Sequence, residues 1–440
     1  MHDNARMDSL QRLEVSRHPR TFAVVAAAVA DASLDEERAP GGLFIVEGRV
    51  AMIARPKDVI AAAEAAQAPT IRCMNHVVTA AFINAHTHLD LSSISPFPYG
   101  GEFAQWLMTI RSKRPTTLEA IDLGVRRGIG LSVAGGACAV GDIAGLAGHE
   151  DGRTSHAACD TLMMSGYAGV TFAEFFGTGE RQETAIANMG RLLRRVAPAV
   201  GLVRLGISPH APYSCGDLVY RHAFESGLPV ATHLAESPDE CDACMKQHGP
   251  LVQLQRSLGI APGLCGAHPV EVVTALAAGR PFLAVHATGA GAYGPHLRAA
   301  GATVVYCPRA TAYFGHEQAW GKEHPWRELA DQGVNVALGT DGLPCLDRSD
   351  RISVLDEIQF LMRAGEMNAR RLLRMATVNG AAALGLAPGA ASLTEGSRPL
   401  GILALELPAS RPESDLLAAA FRHAGVIRWI EGGPARVNVA

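Results

Sequence analysis

The chain has 440 residues, 48% of them hydrophobic, with 43 acidic against 39 basic side chains and a formal charge of −4. That length buries a large core and leaves room for two domains, while the slightly acidic balance excludes the basic footprint of a nucleic-acid binder and the polybasic patch of a membrane-surface protein. Nine scattered cysteines, an odd number, suit a reducing compartment better than a disulfide framework.

The first predicted element is a strand over Phe22–Ala30. Arg17, His18 and Arg20 precede it and Ala30-Asp31-Ala32 closes it, so the stretch imitates a secretory leader with a small-residue cleavage site. It is read as a strand because the hairpin-like run Gly42–Ala54 follows and would otherwise lack a neighbour. No run reaches the ~20 apolar residues of a membrane span, and the expected location is the cytoplasm. Residues 1–78 are expected to supply the N-terminal part of a small β-sandwich. Residues 386–440, with the runs Gly401–Glu406 and Gly425–Ile430, are expected to supply the C-terminal part.

Between these flanks, residues 79–385 alternate short apolar runs with longer helix-like stretches. The runs are Ala81–His88, Ala137–Asp142, Gly169–Glu174, Leu202–Ser208, Pro229–His233, Phe282–His286, Ala302–Cys307 and Val334–Asp341. Near-continuous apolar strands spaced by helices indicate a parallel sheet covered on both faces. Eight units in this span fit a closed α/β fold, a (β/α)8 TIM-like barrel. Ionisable residues gather at or just past the carboxyl ends of the runs: His86, His88, Asp142, Glu174, His210, His233 with Glu236, His286, Arg309 and Asp341. In such barrels that rim carries the active site.

The first run ends His86-Thr87-His88. Residues two apart on a strand share a face and lie roughly 6.6–6.8 Å apart along the chain, so two imidazoles are offered to one point. His233, His286 and Asp341 close later runs, and Gly339 and Gly342 beside Asp341 allow close backbone approach. Three of these four histidines with the aspartate make a nitrogen and oxygen site suited to one divalent ion, Zn²⁺ or Fe²⁺, with a position left for water. Cys241 and Cys244 form a CxxC with no second pair at zinc-ribbon spacing, and they are read as part of a helix rather than as a motif.

The collinear motifs Asn84-Ala-His-Thr-His-Leu89, Ser208-Pro-His-Ala-Pro-Tyr213, His233-Leu-Ala-Glu236, Val285-His286, Cys307-Pro-Arg309 and Gly339-Thr-Asp-Gly342 resemble the amidohydrolase superfamily. Within it they are similar to the cytosine-deaminase, guanine-deaminase and chlorohydrolase-like branch, which includes deaminases of aminofutalosine and of methylthioadenosine or adenosylhomocysteine. The resemblance covers nearly the whole chain. It implies that His86, His88, His233 and Asp341 hold one metal. By the same resemblance Glu236 protonates a ring nitrogen of the substrate, His286 orients the attacking water, and Asp341 takes its proton and passes it to the leaving ammonia. No lysine lies on a predicted strand end, which argues against a lysine-bridged pair of metals; a carboxylate bridge from Glu174 stays open.

The implied activity is hydrolysis of a carbon–nitrogen bond other than a peptide bond: deamination of an amino-substituted N-heterocycle, with an adenine-type nucleoside as the small-molecule substrate. The alternative is the same machinery removing chloride or an alkylamine from a triazine, or opening a cyclic imidazolone. A non-enzymatic scaffold conflicts with the complete set of ligands and proton carriers. Pairing of subunits is common among relatives, which leaves a homodimer open.

By the same resemblance His210 contacts substrate, held over the rim by a proline-braced turn. Trp106, with Phe103 and Leu107, lies on one face of a helix predicted over Glu102–Arg114, which is either core or a cover for the pocket. Arg309 meets either a substrate group or a carboxylate of its own fold. Methylthioadenosine and adenosylhomocysteine deaminases carry a glutamate just before this Trp-Leu pair, where the chain has Gln105, and many relatives have Cys-Pro-x-Ser-Asn where it has Cys307-Pro-Arg-Ala-Thr311. Both departures bear on the substrate and leave the metal chemistry untouched. The segments around His316 and His324 are read as solvated loop.

Overall fold

The computed structural model of the chain describes residues 20–34, 36–145, 156–195, 202–410, 414–425 and 427–432. Arg17 and His18 of the leader-like stretch lie outside the described residues. Strands β1 (Phe22–Val29), β2 (Gly41–Val46), β3 (Arg49–Ala54) and β4 (Thr70–Ala80) open the fold. The eight strands β5 (Phe82–Thr87), β6 (Ala137–Ala144), β7 (Ala168–Phe175), β8 (Leu202–Pro209), β9 (Ala231–Leu234), β10 (Leu283–His286), β11 (Thr303–Tyr306) and β12 (Asn335–Leu338) follow. β13 (Ile402–Glu406) and β14 (Ile427–Glu431) close it.

Both ends of the chain build one six-stranded sheet, in the order β14-β13-β4-β1-β2-β3. β2 and β3 turn through Glu47-Gly48, whose φ angles of 49° and 73° are those of a tight primed hairpin turn. Alternate residues (Phe22, Val24, Leu43, Ile45, Val78, Ile402 and Ile430) form one buried face, while Ala23, Val25 and Phe44 on the other pack on Val59 and Ala63 of the helix Pro56–Ala65. Val50 N donates to Ser397 O at 3.0 Å and Gly396 N to Val50 O at 2.7 Å, tying edge strand β3 to the segment before β13. Both ends of the chain thus build the expected small β-domain, its six strands hydrogen-bonded in one sheet with this apolar cluster on one face. Ala81 alone separates β4 from β5, so this sheet anchors the strand that carries His86.

β5 to β8 pair in parallel, as do β9 to β12. The two runs meet at a parallel bridge between Ile207 and Val230, supported by His233 N donating to His210 O at 3.0 Å. At the opposite seam Thr340 N and Asp341 N both donate to His86 O, at 2.9 and 3.1 Å. Hydrogen bonds therefore run around the ring, giving a (β/α)8 TIM-like barrel. The barrel strands are buried almost throughout, as strands covered by helices require. Close approach at the second seam depends on Gly339: a Cβ there would stand 2.8 Å from His86 Cβ. No helix among the described residues is long and apolar enough to cross a membrane.

Candidate metal centre and active site

The carboxyl ends of β5, β9, β10 and β12 bring His86, His88, His233, His286 and Asp341 together beneath one cavity. His86 belongs to two overlapping triads, one with His88 and Asp341 and one with His233 and His286, and within each triad the ligand atoms lie within 4.8 Å of one another. His88 Nε2 is 3.4 Å and His86 Nε2 3.6 Å from Asp341 Oδ1. Two donors about 2.1 Å from one tetrahedral ion stand about 3.4 Å apart, so these separations are those of ligands sharing a cation.

Two observations test whether such an ion fits. Both ring nitrogens of buried His86 lack a hydrogen-bond partner, and an unsatisfied buried donor or acceptor is costly; a cation at Nε2 removes one of those deficits. The protonation states also suit ligation. Burial, with neighbouring histidines adding to it, pushes His233 down to about 4 and His88 well below its ordinary value. Both are neutral with a free lone pair. Burial opposes ionisation of Asp341, but His86, His88 and His286 together hold it well below the usual carboxylate range. His233 Nδ1 donates to His210 O at 2.9 Å, which fixes the tautomer and turns Nε2 toward the site.

The backbone at this rim is unusual. His286 (φ 66°), Asp341 (φ 62°) and Ala235 (φ 49°) all occupy the left-handed region, a strained choice for non-glycine residues that persists where the surroundings enforce it. The surroundings do so here. Gly342 N donates to Asp341 Oδ1 at 2.7 Å, and Thr87 Oγ1 to Asp341 O at 3.1 Å. His324 Nε2 donates to His286 O at 2.6 Å. Ala235 N and Glu236 N donate to the two carboxylate oxygens of Glu240 at 2.9 and 2.8 Å. Leu89 N, just after His88, donates to Asp142 Oδ1 at 2.9 Å.

Glu236 stands beside the cluster, its Oε1 3.6 Å from His286 Nε2 and 3.2 Å from His316 Nε2. Burial alone would raise this carboxyl; His286, His316 and His233 outweigh it and hold the group at about 2. That low value keeps the carboxyl ionised while these histidines face it alone; what makes Glu236 a candidate proton carrier is its place at the cavity floor beside His286 and His316.

The cavity measures about 1070 Å³. His88, His233, Glu236, His286 and Asp341 form its floor, and Phe103, Trp106, Phe176, His210, Tyr213 and Phe314 line its walls. The helix Phe103–Lys113 thus covers the pocket while its apolar face packs, so both readings of Trp106 meet in one residue; Trp106 Nε1 donates to Tyr313 OH at 3.2 Å. His210 Nδ1 is 2.7 Å from Ser214 Oγ, and Phe176 stacks on its ring at 4.4 Å. Glu174 lies in the cavity wall with His210 and His233 nearby, but Arg114 Nη1 holds it at 3.4 Å while Arg114 Nε holds Asp90 at 2.8 Å.

Arg309 is placed elsewhere. It does not line the cavity: its Nε donates to Glu357 Oε1 and its Nη1 to Asp347 Oδ1, both at 2.7 Å, and its backbone N donates to Glu357 Oε2 at 2.9 Å. Of its two expected roles the structure selects the carboxylate of its own fold. Arg309→Ala would strand the fully buried Glu357 without its partner, and is expected to destabilise the protein by about 3–5 kcal/mol while KM stays unchanged, as thermal unfolding and steady-state kinetics would show.

Three residues of the site escaped the sequence reading. His316 and His324 are buried against Glu236 and His286 rather than solvated. The reason is long-range: aromatic packing of Phe314 on Phe103 and of His324 on Tyr306 seals their loop. Glu240 carried a local signal, since Ser237-Pro-Asp-Glu240 has capping-box spacing, but its carboxylate holds the turn bearing Glu236 instead of closing the box. Cys241 and Cys244 sit in the helix Pro238–Lys246, as expected, and Cys241 Sγ lies 3.4 Å from His268 Nε2.

The amidohydrolase family model matches residues 77–405. A 5-methylthioadenosine/S-adenosylhomocysteine deaminase of Pyrococcus furiosus is 27% identical over 331 residues, covering 72% of this chain and 73% of that protein. An aminodeoxyfutalosine deaminase of Deinococcus radiodurans is 28% identical over 374 residues, covering 78% and 81%. Among solved structures, an adenosine deaminase from Xanthomonas campestris with bound zinc matches with a TM-score of 0.68 at 18% identity, covering 96% of this chain and 91% of that one.

Proposed function

Since the chain belongs to the amidohydrolase family, we propose that it is a metal-dependent hydrolytic deaminase releasing ammonia from an adenine-type nucleoside, derived from aminofutalosine or adenosine. The observation that carries this reading is Glu236: a buried carboxylate beside the His/Asp cluster, opening on an aromatic-walled cavity. In this reading His86, His88, His233 and Asp341 hold one divalent ion, zinc by the donor set of neutral imidazoles and a carboxylate. Such an ion acts as a Lewis acid and lowers the pKa of bound water toward ~7.

The protein groups divide the proton work. Glu236, protonated when substrate is bound, hydrogen-bonds a ring nitrogen and delivers its proton there, and the second proton of the attacking water, released as the carbonyl forms, reloads it. His286 orients the attacking water, and Asp341 accepts its proton and returns it to the departing amine. Breaking a C–N bond across an amidine needs both transfers, and each carrier stands at the cavity floor. His210 and Trp106 contact the substrate from the walls. A cavity of about 1070 Å³ lies just above the ~300–1,000 Å³ range of small-molecule sites, which suits a nucleoside with a bulky 5′ substituent better than a free base.

Ammonia release measured over a panel of aminopurine nucleosides, free bases and triazines tests this reading. Turnover is expected for one or more nucleosides. Turnover confined to triazines or cyclic imidazolones, with every aminopurine nucleoside silent, would replace it with the alternative.

A further inference from the structure

Glu236 is gripped from a side that lies outside the barrel strands. His316 opens the helix His316–Trp320 in the long connection after β11, and it is only 3% exposed. Its Nε2 lies 3.2 Å from Glu236 Oε1. Its ring is wedged against Phe314, with centroids 5.2 Å apart, and Phe103, at 5.6 Å. From the same helix Trp320 Nε1 reaches the carbonyl oxygen of Glu236 at 3.5 Å. With Glu240 holding the backbone N–H groups of residues 235 and 236, the polar atoms N, O and Oε1 of Glu236 all have a fixed neighbour.

This grip has a chemical consequence. The last torsion of a glutamate is broad and roughly two-fold, so burial alone does not fix which way the carboxyl faces. His316 does not line the cavity, and so it acts on the reaction through Glu236. We propose that His316 is a positioning residue for the deamination, donating Nε2–H to Glu236 Oε1 so that the other carboxylate oxygen faces the ring nitrogen of the substrate. The proposal rests on the deaminase reading of Glu236. A carboxyl displaced by about 1 Å from its productive place costs on the order of 10²-fold in rate.

The test uses the metal-loaded enzyme with adenosine and 5′-methylthioadenosine. His316→Ala is expected to lower kcat by about 10²-fold, with KM and metal per chain unchanged. His316→Gln, which keeps an N–H donor at similar reach, is expected to recover most of that loss. Adding His316→Ala to Glu236→Gln is expected to cost nothing further, because the group being oriented can no longer carry the proton. Unchanged kcat in His316→Ala, or an equal loss in His316→Gln, overturns the proposal. A second measurement needs neither turnover nor the alanine variant. In ¹⁵N-histidine-labelled protein, the resonance that His316→Gln removes is expected to shift on Glu236→Gln, and an unmoved resonance overturns the contact. Silence of the wild-type enzyme on every aminopurine nucleoside of the panel, with that shift present, would sink the deaminase reading while leaving the contact intact.

Discussion

Glu236→Gln is expected to lower kcat by about 10³-fold, within the 10²–10⁴-fold range of general acid–base catalysis, with bound metal unchanged. The substitution conserves volume and keeps an oxygen acceptor for His316, but an amide cannot take up and release the proton. Glu236 contacts His286 and His316 without belonging to either ligand triad, so loss of its charge leaves the cluster of His86, His88, His233 and Asp341 intact. Steady-state kinetics with metal analysis on the same sample separates the possibilities. Full activity would remove Glu236 from the chemistry, whereas joint loss of activity and metal would make it a ligand.

His86→Ala is expected to abolish both metal binding and turnover. His86 is the member common to the two triads, and its ring centroid lies 5.0, 5.2 and 5.6 Å from those of His88, His233 and His286. Removing it takes one nitrogen from a four-ligand site, and metal affinity at such sites is steeply dependent on ligand number. Metal content of the purified variant is expected to fall from about one ion per chain to below about a tenth, with ammonia release at background. The deletion leaves a small cavity in a strand anchored by the six-stranded sheet, so the fold is expected to survive, as circular dichroism would show. A variant retaining one tightly held ion would place the metal elsewhere.

The expected strands were found because each buried barrel strand writes a short apolar run, and because the residue that ends it is chemically different from what precedes it. His86-Thr-His88 was the clearest case: side-chain alternation alone aims both imidazoles at one point. His286 and Asp341 were read from the run ends too, but their individual roles came from the resemblance, and their left-handed backbone is not written in periodicity. Partners across space were harder. Nothing local in Gly315-His316 says that Phe314 will pack on Phe103, some two hundred residues earlier in the chain, and bury the imidazole against Glu236. Arg309 illustrates the converse, a charged rim residue whose guanidinium the fold itself satisfies through Glu357 and Asp347. Trp106 shows why helical spacing could not choose between core and cover: the face that packs on Phe314 also walls the cavity.

The placement of one divalent ion among His86, His88, His233 and Asp341 is tested most directly by anomalous scattering from crystals of the active enzyme, recorded on both sides of the zinc absorption edge. One peak within about 2.0–2.3 Å of those four side chains is the predicted result. A fully active enzyme with no peak there, or with its ion bound elsewhere, would contradict it.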